Sequence, residues 1–445
     1  MPRRQSFDTR VPTVLVRLDR NPFHHGTLGA ARSLGRAGIP VHAVVESGAG
    51  PAARSRYLRS TRASPPAASA TELAALLHRV ADEIAAADRD GTGGATGDAS
   101  DDTSTSVLVL PLDDVSALAL ARHRSALSPR FLLPAQTEEQ LLRVADKAAL
   151  AETCAALGLP HPRTELPTGT DEAAAMAWSL GLPVVAKWSR PWLLPAGRGL
   201  RSTSIVRSLA EVRELYARTP EAGSRLLLQE LLPAGRDLDW FFHGYVDAEG
   251  RCPTGATGRK ERSWPDGAGL TAVGRWAVNP AVDRTARDLF EALGYRGVCD
   301  LDFRLDPATG AYHLLDFNPR PGAQFRLFAD PDGLDVVRAL HLDLTGRAVP
   351  PHSPAYGRRF VVENYAALSF LASPRRRSAE EAGERRTEWA WWAADDPRPA
   401  LAMGRAWLAH LTRKALTAFR GLFGSRRQAP RVPPARSSSH QLTPR

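Results

Sequence analysis

The sequence predicts an α/β fold at its N-terminal end that passes into an α+β arrangement, and three observations predict it. Pro12 to Leu18 and Pro40 to Val45 are short apolar runs separated by the helix-patterned Thr27 to Ala37, which is the strand–helix–strand opening of an open sheet. A second alternation starts at Asp146, with a helix over Lys147 to Leu157, a Gly158-Leu-Pro160 break, a helix over Asp171 to Leu180 and a strand over Pro183 to Trp188. Strands then dominate Arg225 to Val278 and return as Val298 to Leu305 and Tyr312 to Phe317, with a helix over Val282 to Leu293 before them.

Within the first unit, a helix over Thr71 to Ala87 is followed by Asp88 to Ser106, whose Gly, Asp, Ser and Thr content predicts a disordered insertion ahead of the strand Val107 to Leu110. The glycines of Gly26-Thr-Leu-Gly29 do not make GxGxxG, so this unit lacks the dinucleotide fingerprint and reads as a scaffold that helps bind substrate. A helix over Asp335 to Leu344 closes the body. Beyond a Pro-containing link the pattern predicts helical segments near Glu380 to Trp392 and over Leu401 to Phe423, then a disordered Pro-, Ser- and Arg-rich end. The domain boundaries expected are 1–140, 141–228, 229–348, a helical extension 349–424 and a basic tail 425–445.

With 445 residues, 43% hydrophobic and 24% charged, the chain can bury two or three cores behind a soluble surface. No apolar run approaches the ~20 residues that cross a bilayer. Met1-Pro-Arg-Arg leads into Gln5, Ser6, Phe7 and Asp8 rather than an apolar core, so the expectation is a cytoplasmic protein without a secretory signal. Cys154, Cys252 and Cys299 form no CxxC pair and read as small buried residues. The formal charge of +10 is concentrated in the tail, since Leu401 to Arg445 holds basic residues and no Asp or Glu. No aromatic-basic motif of a nucleic-acid module accompanies that tail, so no specific nucleic-acid partner is expected. Leu401, Leu408, Leu411, Phe419 and Leu422 share one face of the last helix while Arg413, Lys414 and Arg420 fall elsewhere. That pattern suits docking on the protein's own body or a second subunit, with peripheral contact to an anionic membrane through 401–423 as the alternative.

Chemistry concentrates in one hairpin. In Asp300-Leu-Asp-Phe-Arg-Leu-Asp306 polar and apolar residues alternate, which places Asp300, Asp302 and Arg304 on one strand face and Leu301, Phe303 and Leu305 on the other. The returning strand alternates Tyr312, Leu314, Asp316 and Asn318 against His313, Leu315 and Phe317. The loop Pro307 to Ala311 then sets Asp302 directly opposite Asp316. Opposed like charges are destabilising, and Mg²⁺, which takes carboxylate and amide oxygens together with substrate phosphates, is the natural compensation. Asn318-Pro-Arg320 brings a guanidinium beside the same place, where arginine can stabilise developing oxyanion charge. An isolated Asp-x-Asn-x-Arg string more often marks a solvated surface hairpin, so the upstream residues carry the weight.

Together with those residues the chain resembles the ATP-grasp superfamily, which includes biotin carboxylase, carbamoyl phosphate synthetase and D-alanine ligase, over roughly Pro12 to Arg347. The resemblance implies an ATP-grasp fold behind a Rossmann-like pre-ATP-grasp domain, with a C-terminal helical extension. It implies that Lys147, opening a helix after Asp146, contacts nucleotide phosphate, and that Lys187, ending the strand Pro183 to Lys187, pairs with the α- and β-phosphates. It implies that Glu230 contacts the adenine amino group and Asp237 the ribose, with Asp239 competing for the latter role. Lys260 and Arg262 would face the γ-phosphate or the acceptor carboxylate, Asp302, Asp316 and Asn318 would bind metal, and Arg320 and Lys260 would serve catalysis. The first-domain segment Ala30 to Val41, with Ser55-Arg-Tyr57, looks like the carboxylate-amine ligase branch related to D-aspartate ligase.

Two features depart from that pattern. Asp316 stands where most relatives carry Glu, which leaves one or two metal ions open, and Ser189 to Thr203 has only Gly197 and Gly199 where relatives are glycine-rich. Arg198 or Arg201 could assist a phosphate there, and Trp192, Leu193 and Leu194 could face the acyl substrate or the first domain. The activity implied is ATP-dependent activation of a small-molecule carboxylate as an acyl phosphate and its transfer to an amine, or a thiol, with ATP and Mg²⁺ (or Mn²⁺) as cofactors. Homo-oligomers are compatible with this, and a non-catalytic ATP-binding protein is the alternative reading.

Overall fold

The structure, a computed structural model, describes residues 6–46, 50–64, 70–91, 106–265, 269–372 and 386–424. Its first layer is a five-stranded parallel sheet in the order β3-β2-β1-β4-β5, built from β1 (Thr13–Val16), β2 (Val41–Val45), β3 (Leu58–Ala63), β4 (Val107–Pro111) and β5 (Phe131–Leu132). β1, β2 and β4 are buried along their whole length, as expected of strands covered on both faces. One face carries α1 (His25–Arg36), with Leu15, Leu34, Val41 and Leu110 in a common core. The other carries α2 (Ala70–Gly91), with Val14, Val16, Leu77 and Val109. The order of strand addition reverses between the parallel strands β1 and β4, so their carboxyl ends border the crevice where open α/β sheets bind ligands. The helix α2 runs through Asp88 to Gly91, which shortens the expected insertion; 92–105 lie outside the described residues.

Helices α3 (Asp114–Arg122), α4 (Arg124–Leu127), α5 (Glu138–Ala145) and α6 (Lys147–Ala156) lead to a four-stranded antiparallel sheet. Its strands β6 (Thr164–Glu165), β7 (Val184–Trp188), β8 (Thr203–Val206) and β9 (Leu226–Glu230) run in the order β6-β9-β7-β8, covered by α7 (Thr170–Leu180) and α8 (Leu209–Ala217), with the short α9 (Thr219–Ala222) beside them. In the loop before β8, Gly197 and Gly199 take positive φ, and Trp192 packs with Ala117 and Leu118 of α3 and Leu141 of α5.

The largest sheet contains β10 (Asp239–Val246), β11 (Ala256–Trp264), β12 (Leu270–Trp276), β13 (Gly297–Leu305), β14 (Tyr312–Asn318), β15 (Arg359–Val361) and β16 (Thr387–Trp389) in the order β14-β13-β10-β11-β12-β15-β16. α10 (Pro280–Leu293), capped by the Asn279 side chain and ended by Gly294 at φ 57°, covers one face; α11 (Val336–Leu344) packs between this sheet and the first layer. α12 (Glu363–Ala372) and α13 (Arg398–Gly424) follow. The expected helical extension is therefore corrected in part. Arg359-Phe-Val361 adds to the edge of β12, and Thr387–Trp389 pairs parallel to it, where a helix was expected near Glu380 to Trp392. Side chains at the sheet edge explain the change: Glu388 is held by Arg326 and Arg358, both distant in sequence. Residues 380–385, and the tail 425–445 expected to be disordered, lie outside the described residues.

The C-terminal segment is fastened to the first layer by a buried ion pair. Arg32 on α1 donates to Asp396 at 3.0 Å and to the carbonyls of Trp391 and Asp396, both at 2.7 Å, while Ser55 and the Arg56 amide donate to the same carboxylate at 2.7 and 3.0 Å. Asp396→Ala strands a buried guanidinium, so we expect a loss of about 3–5 kcal/mol in unfolding free energy, read as a lowered melting temperature. A change of less than about 1 kcal/mol would contradict this role.

Candidate active site

The hairpin of β13 and β14 sets its acids by register. Asp302 stands directly opposite Asp316, and Asp300 opposite Asn318. Between Asp302 and Phe303 the register slips, because Leu315 is an extra residue on β14, a β-bulge. The bulge corrects the strict alternation expected of this strand. Leu314 and partly buried Tyr312 pack into the core with Phe317, rather than sharing the face of Asp316 and Asn318. One added residue shifts the two-residue period by one, so apolar side chains before and after it both reach the core while the acids face the other way. The carbonyl of Leu315 accepts a hydrogen bond from Lys187 Nζ at 2.9 Å.

Three lysines neutralise this acidic face. Lys147 is the first residue of α6, whose N-cap Asp146 accepts from the amides of Ala148 and Ala149 at 3.0 and 3.4 Å. Burial alone would raise the Asp146 carboxyl, but hydrogen bonds from Ser189, Arg190 and those amides hold it below the ordinary range. With its backbone anchored to the Ser189 carbonyl at 2.9 Å, Lys147 forms an ion pair with Asp316. Lys187 leaves β7 toward the same point, and burial lowers its ammonium below the usual lysine range, assisted by Lys147 and opposed by Asp316 and Asp302. Lys260 on β11 reaches Asp302 at 3.7 Å. Burial raises the Asp302 carboxyl, Lys260 lowers it, and the charges of Asp300 and Asp316 raise it further.

Arg320 is fixed by Asp300 at 2.9 Å and lies 3.6 Å from Asp114, an acid at the start of α3 in the first layer. Although burial opposes the charge, Asp114, Asp300 and Asp316 hold this guanidinium above its ordinary value. Asp300 also faces fully buried His243 at 3.1 Å, and Asn318 Nδ2 donates to the Asp300 carbonyl at 3.3 Å. Gly322 is required at this junction, since a Cβ there would lie 2.1 Å from His243 Cε1 and 2.7 Å from Asp300 Cγ. Nearby, at the carboxyl ends of β1 and β2, buried Arg17 pairs with Asp19 and Glu46, while His24 is pushed down by burial and by the positive charges of Arg17, His25 and Arg320.

The structure thus brings together Lys147, Lys187, Lys260, Asp302, Asp316, Asn318 and Arg320. Glu230 and Asp237 stand apart from this cluster in their own pairings. Glu230 accepts from the Arg163 amide at 2.8 Å and guanidinium at 3.3 Å. Asp237, at φ 65°, lies 3.2 Å from Arg259, while Asp239 pairs with Arg304 at 2.7 Å. Arg262 turns to α12, its guanidinium 4.1 Å over Phe370. The cleft between the two sheets is lined by Lys147, Lys187, Leu150, His161, Gln229 and Leu314, so Gln229, not its neighbour Glu230, faces the lysines. Sequence reasoning missed Gln229, Asp114 and His243. Only Asp114, following Asp113 at the end of an apolar strand, carried a usable signal.

Asp302, Asp316 and Asn318 fit Mg²⁺, a hard cation that takes oxygen donors and uses one or two carboxylates alongside phosphates. Among the described residues there is no group of three or more His, Cys, Asp or Glu that could hold a metal ion.

These sheets and their order define the ATP-grasp fold, and solved structures agree. The chain superimposes on the MgADP- and bicarbonate-bound biotin carboxylase domain of 2-oxoglutarate carboxylase from Hydrogenobacter thermophilus, with TM-score 0.55 and 17% identity, over 76% of this chain and 71% of that one. It matches the ADP complex of N5-carboxyaminoimidazole synthetase from Staphylococcus aureus with TM-score 0.56, 11% identity and 78% and 80% coverage. For L-amino acid ligase from Bacillus licheniformis the values are 0.54, 12%, 76% and 75%. Among curated proteins it is similar to D-aspartate ligase of Enterococcus faecium, 23% identical over 53% of this chain and 58% of the relative. It is also similar to the carbamoyl phosphate synthase large chain of Clavibacter sepedonicus, 25% identical over 54% of this chain and 22% of that protein. It therefore spans less than two thirds of either relative. No family model matches the chain.

A carboxyl raised in the folded state opposes folding once ionised, and the cost appears as pH rises from the ordinary carboxyl range through the folded value. Asp302→Asn should consequently leave the melting temperature without nucleotide unchanged or higher at neutral pH, while abolishing the extra stabilisation by MgADP. A fall of several degrees without nucleotide would contradict the crowding of these acids.

Proposed function

We propose that the protein is an ATP-dependent ligase that activates a small-molecule carboxylate as an acyl phosphate and transfers the acyl group to an amine. The observation that carries this reading is the directly opposed Asp302–Asp316 pair ringed by Lys147, Lys187 and Lys260. Acids placed in register against each other, each already matched by an ammonium, form a surface that exchanges partners readily: phosphate oxygens take the lysines, and the acids are left for a cation. Similarity to D-aspartate ligase supports the choice of a carboxylate and an amine.

In this account Lys147 and Lys187 bind the phosphates of ATP in the cleft, and Gln229 with the apolar wall of Leu150 and Leu314 receives the base. Glu230 and Asp237 keep the adenine- and ribose-side roles that the resemblance implies, by exchange of their present arginine partners. Asp302, Asp316 and Asn318 would hold Mg²⁺, which supplies charge neutralisation at the terminal phosphates. A carboxylate oxygen attacks the γ-phosphorus, the bond to ADP breaks, and an acyl phosphate forms. Lys260 steadies the phosphoryl oxygens during this step. The amine then adds to the acyl carbon, phosphate leaves, and the amine proton passes to solvent. Arg320, held in place by Asp300 and Asp114, stabilises the oxyanion of the tetrahedral stage. Positioning and electrostatics account for the acceleration, as in phosphoryl transfer generally.

The test is phosphate release from MgATP across a panel of carboxylates and amines, with product mass identified. Turnover should require both substrates, and Asp316→Asn or Lys187→Met should lower kcat/KM by about 10²–10³-fold. Phosphate release that never depends on a carboxylate would remove the reading. Because Lys187 is lowered by burial, it loses its proton before an ordinary lysine as pH rises. Nucleotide affinity should therefore fall on the alkaline side below the usual lysine range, and Lys187→Arg should displace that limb upward. An unchanged limb would show that another group sets it.

A further inference from the structure

The last helix has two apolar sides, and only one of them is used. At 3.6 residues per turn, Met403, Ala406, Trp407 and His410 lie on one side of α13. That side is docked: Trp407 meets Phe23 edge-on at 4.9 Å and Tyr365 at 5.9 Å, His410 meets Phe23 at 5.8 Å, and Met403 is buried in the same core. Leu401, Leu408 and Leu416 lie on the opposite side, with Leu411 at its margin, and are 61, 67, 52 and 36% exposed. The same stripe reaches Phe419 and Leu422 in the sequence; their side chains lie outside the described residues. Exposed Arg405, Arg413 and Lys414 interleave with these leucines along the helix.

Charge identifies the occupant. Residues 398–445 contain ten Arg and Lys and no Asp or Glu, which accounts for the whole formal excess of +10; the preceding 397 residues balance at 48 basic against 48 acidic. A second copy of the chain would bring two such basic segments together, which is repulsive. A nucleic acid would satisfy the charges and leave the leucines without a partner. A lipid surface with anionic headgroups satisfies both, taking the leucines into the acyl boundary and the basic residues among the headgroups.

We propose that α13 binds the surface of an anionic membrane. The helix lies on the bilayer rather than through it, since no helix among the described residues is long and apolar enough to span.

Flotation of the full chain with phosphatidylcholine vesicles, and with vesicles containing about 30% phosphatidylglycerol, tests this. The chain should float with the anionic vesicles and bind neutral ones about tenfold more weakly. The double variant Leu408→Asp/Leu416→Asp, altered only at exposed positions, should bind anionic vesicles at least about tenfold more weakly with an unchanged melting temperature. Three results would overturn the proposal: no flotation with anionic vesicles at physiological salt, binding that the leucine variants leave unaltered, or leucine variants that dissolve a dimer while vesicle binding stays the same. Binding to a duplex oligonucleotide that displaces the vesicles and is indifferent to the leucines would assign the basic segment to nucleic acid instead.

Discussion

Two carboxylates held opposite each other across a strand ladder are the constraint around which this molecule is organised. Asp302 and Asp316 cannot move apart, because β13 and β14 are paired on either side of them and Leu301, Phe303, Leu314 and Phe317 anchor their strands in the core. Everything charged nearby answers to that pair. Lys147 arrives on a capped helix start, Lys187 on a strand of the smaller sheet and Lys260 on β11 of the larger one, beyond β10. Each lysine comes from a different part of the chain, so the two sheets meet at a charged seam, and a change in their separation would change the field at the acids.

The bulge at Leu315 makes this compatible with a packed core. Without the extra residue, the parity that turns Asp316 outward would also expose Leu314. Arg320 extends the same arrangement to the first layer through Asp300 and Asp114, and the Arg32–Asp396 pair ties that layer to the C-terminal segment. Buried ions of this kind specify one arrangement more than they add stability, since their desolvation offsets much of their attraction. The first layer thereby has a fixed relation to the acids, as required if it contributes to binding a substrate at its strand ends.

Much of this was legible in the sequence because it rests on short-range periodicity. The alternation in Asp300 to Asp306 and the length of the loop after it were enough to oppose Asp302 and Asp316, and Asp146-Lys147 declared a helix start. What was not legible depends on distant partners. The bulge is invisible to a period-two reading that treats Tyr312 to Asn318 as one strand. β15 and β16 are three-residue strands whose existence depends on the edge of β12 and on Arg326 and Arg358, so a local pattern read there as helix had nothing to oppose it. Gln229 and Glu230 are adjacent polar residues, and which of them faces the lysines follows from strand register against β6 and β7. The exposed leucines of α13 were visible as an amphipathic face, but only packing showed that the docked face is the opposite one.

We propose that the acids and lysines of the seam together hold a nucleotide's phosphates through a divalent cation. Calorimetric titration of the full chain with ADP, in Mg²⁺ and in EDTA, tests it most directly. One site per chain is expected, bound with measurable heat only in Mg²⁺ and lost when Asp316 is replaced by Asn. Equal affinity in EDTA, or binding that survives that replacement undiminished, would contradict it.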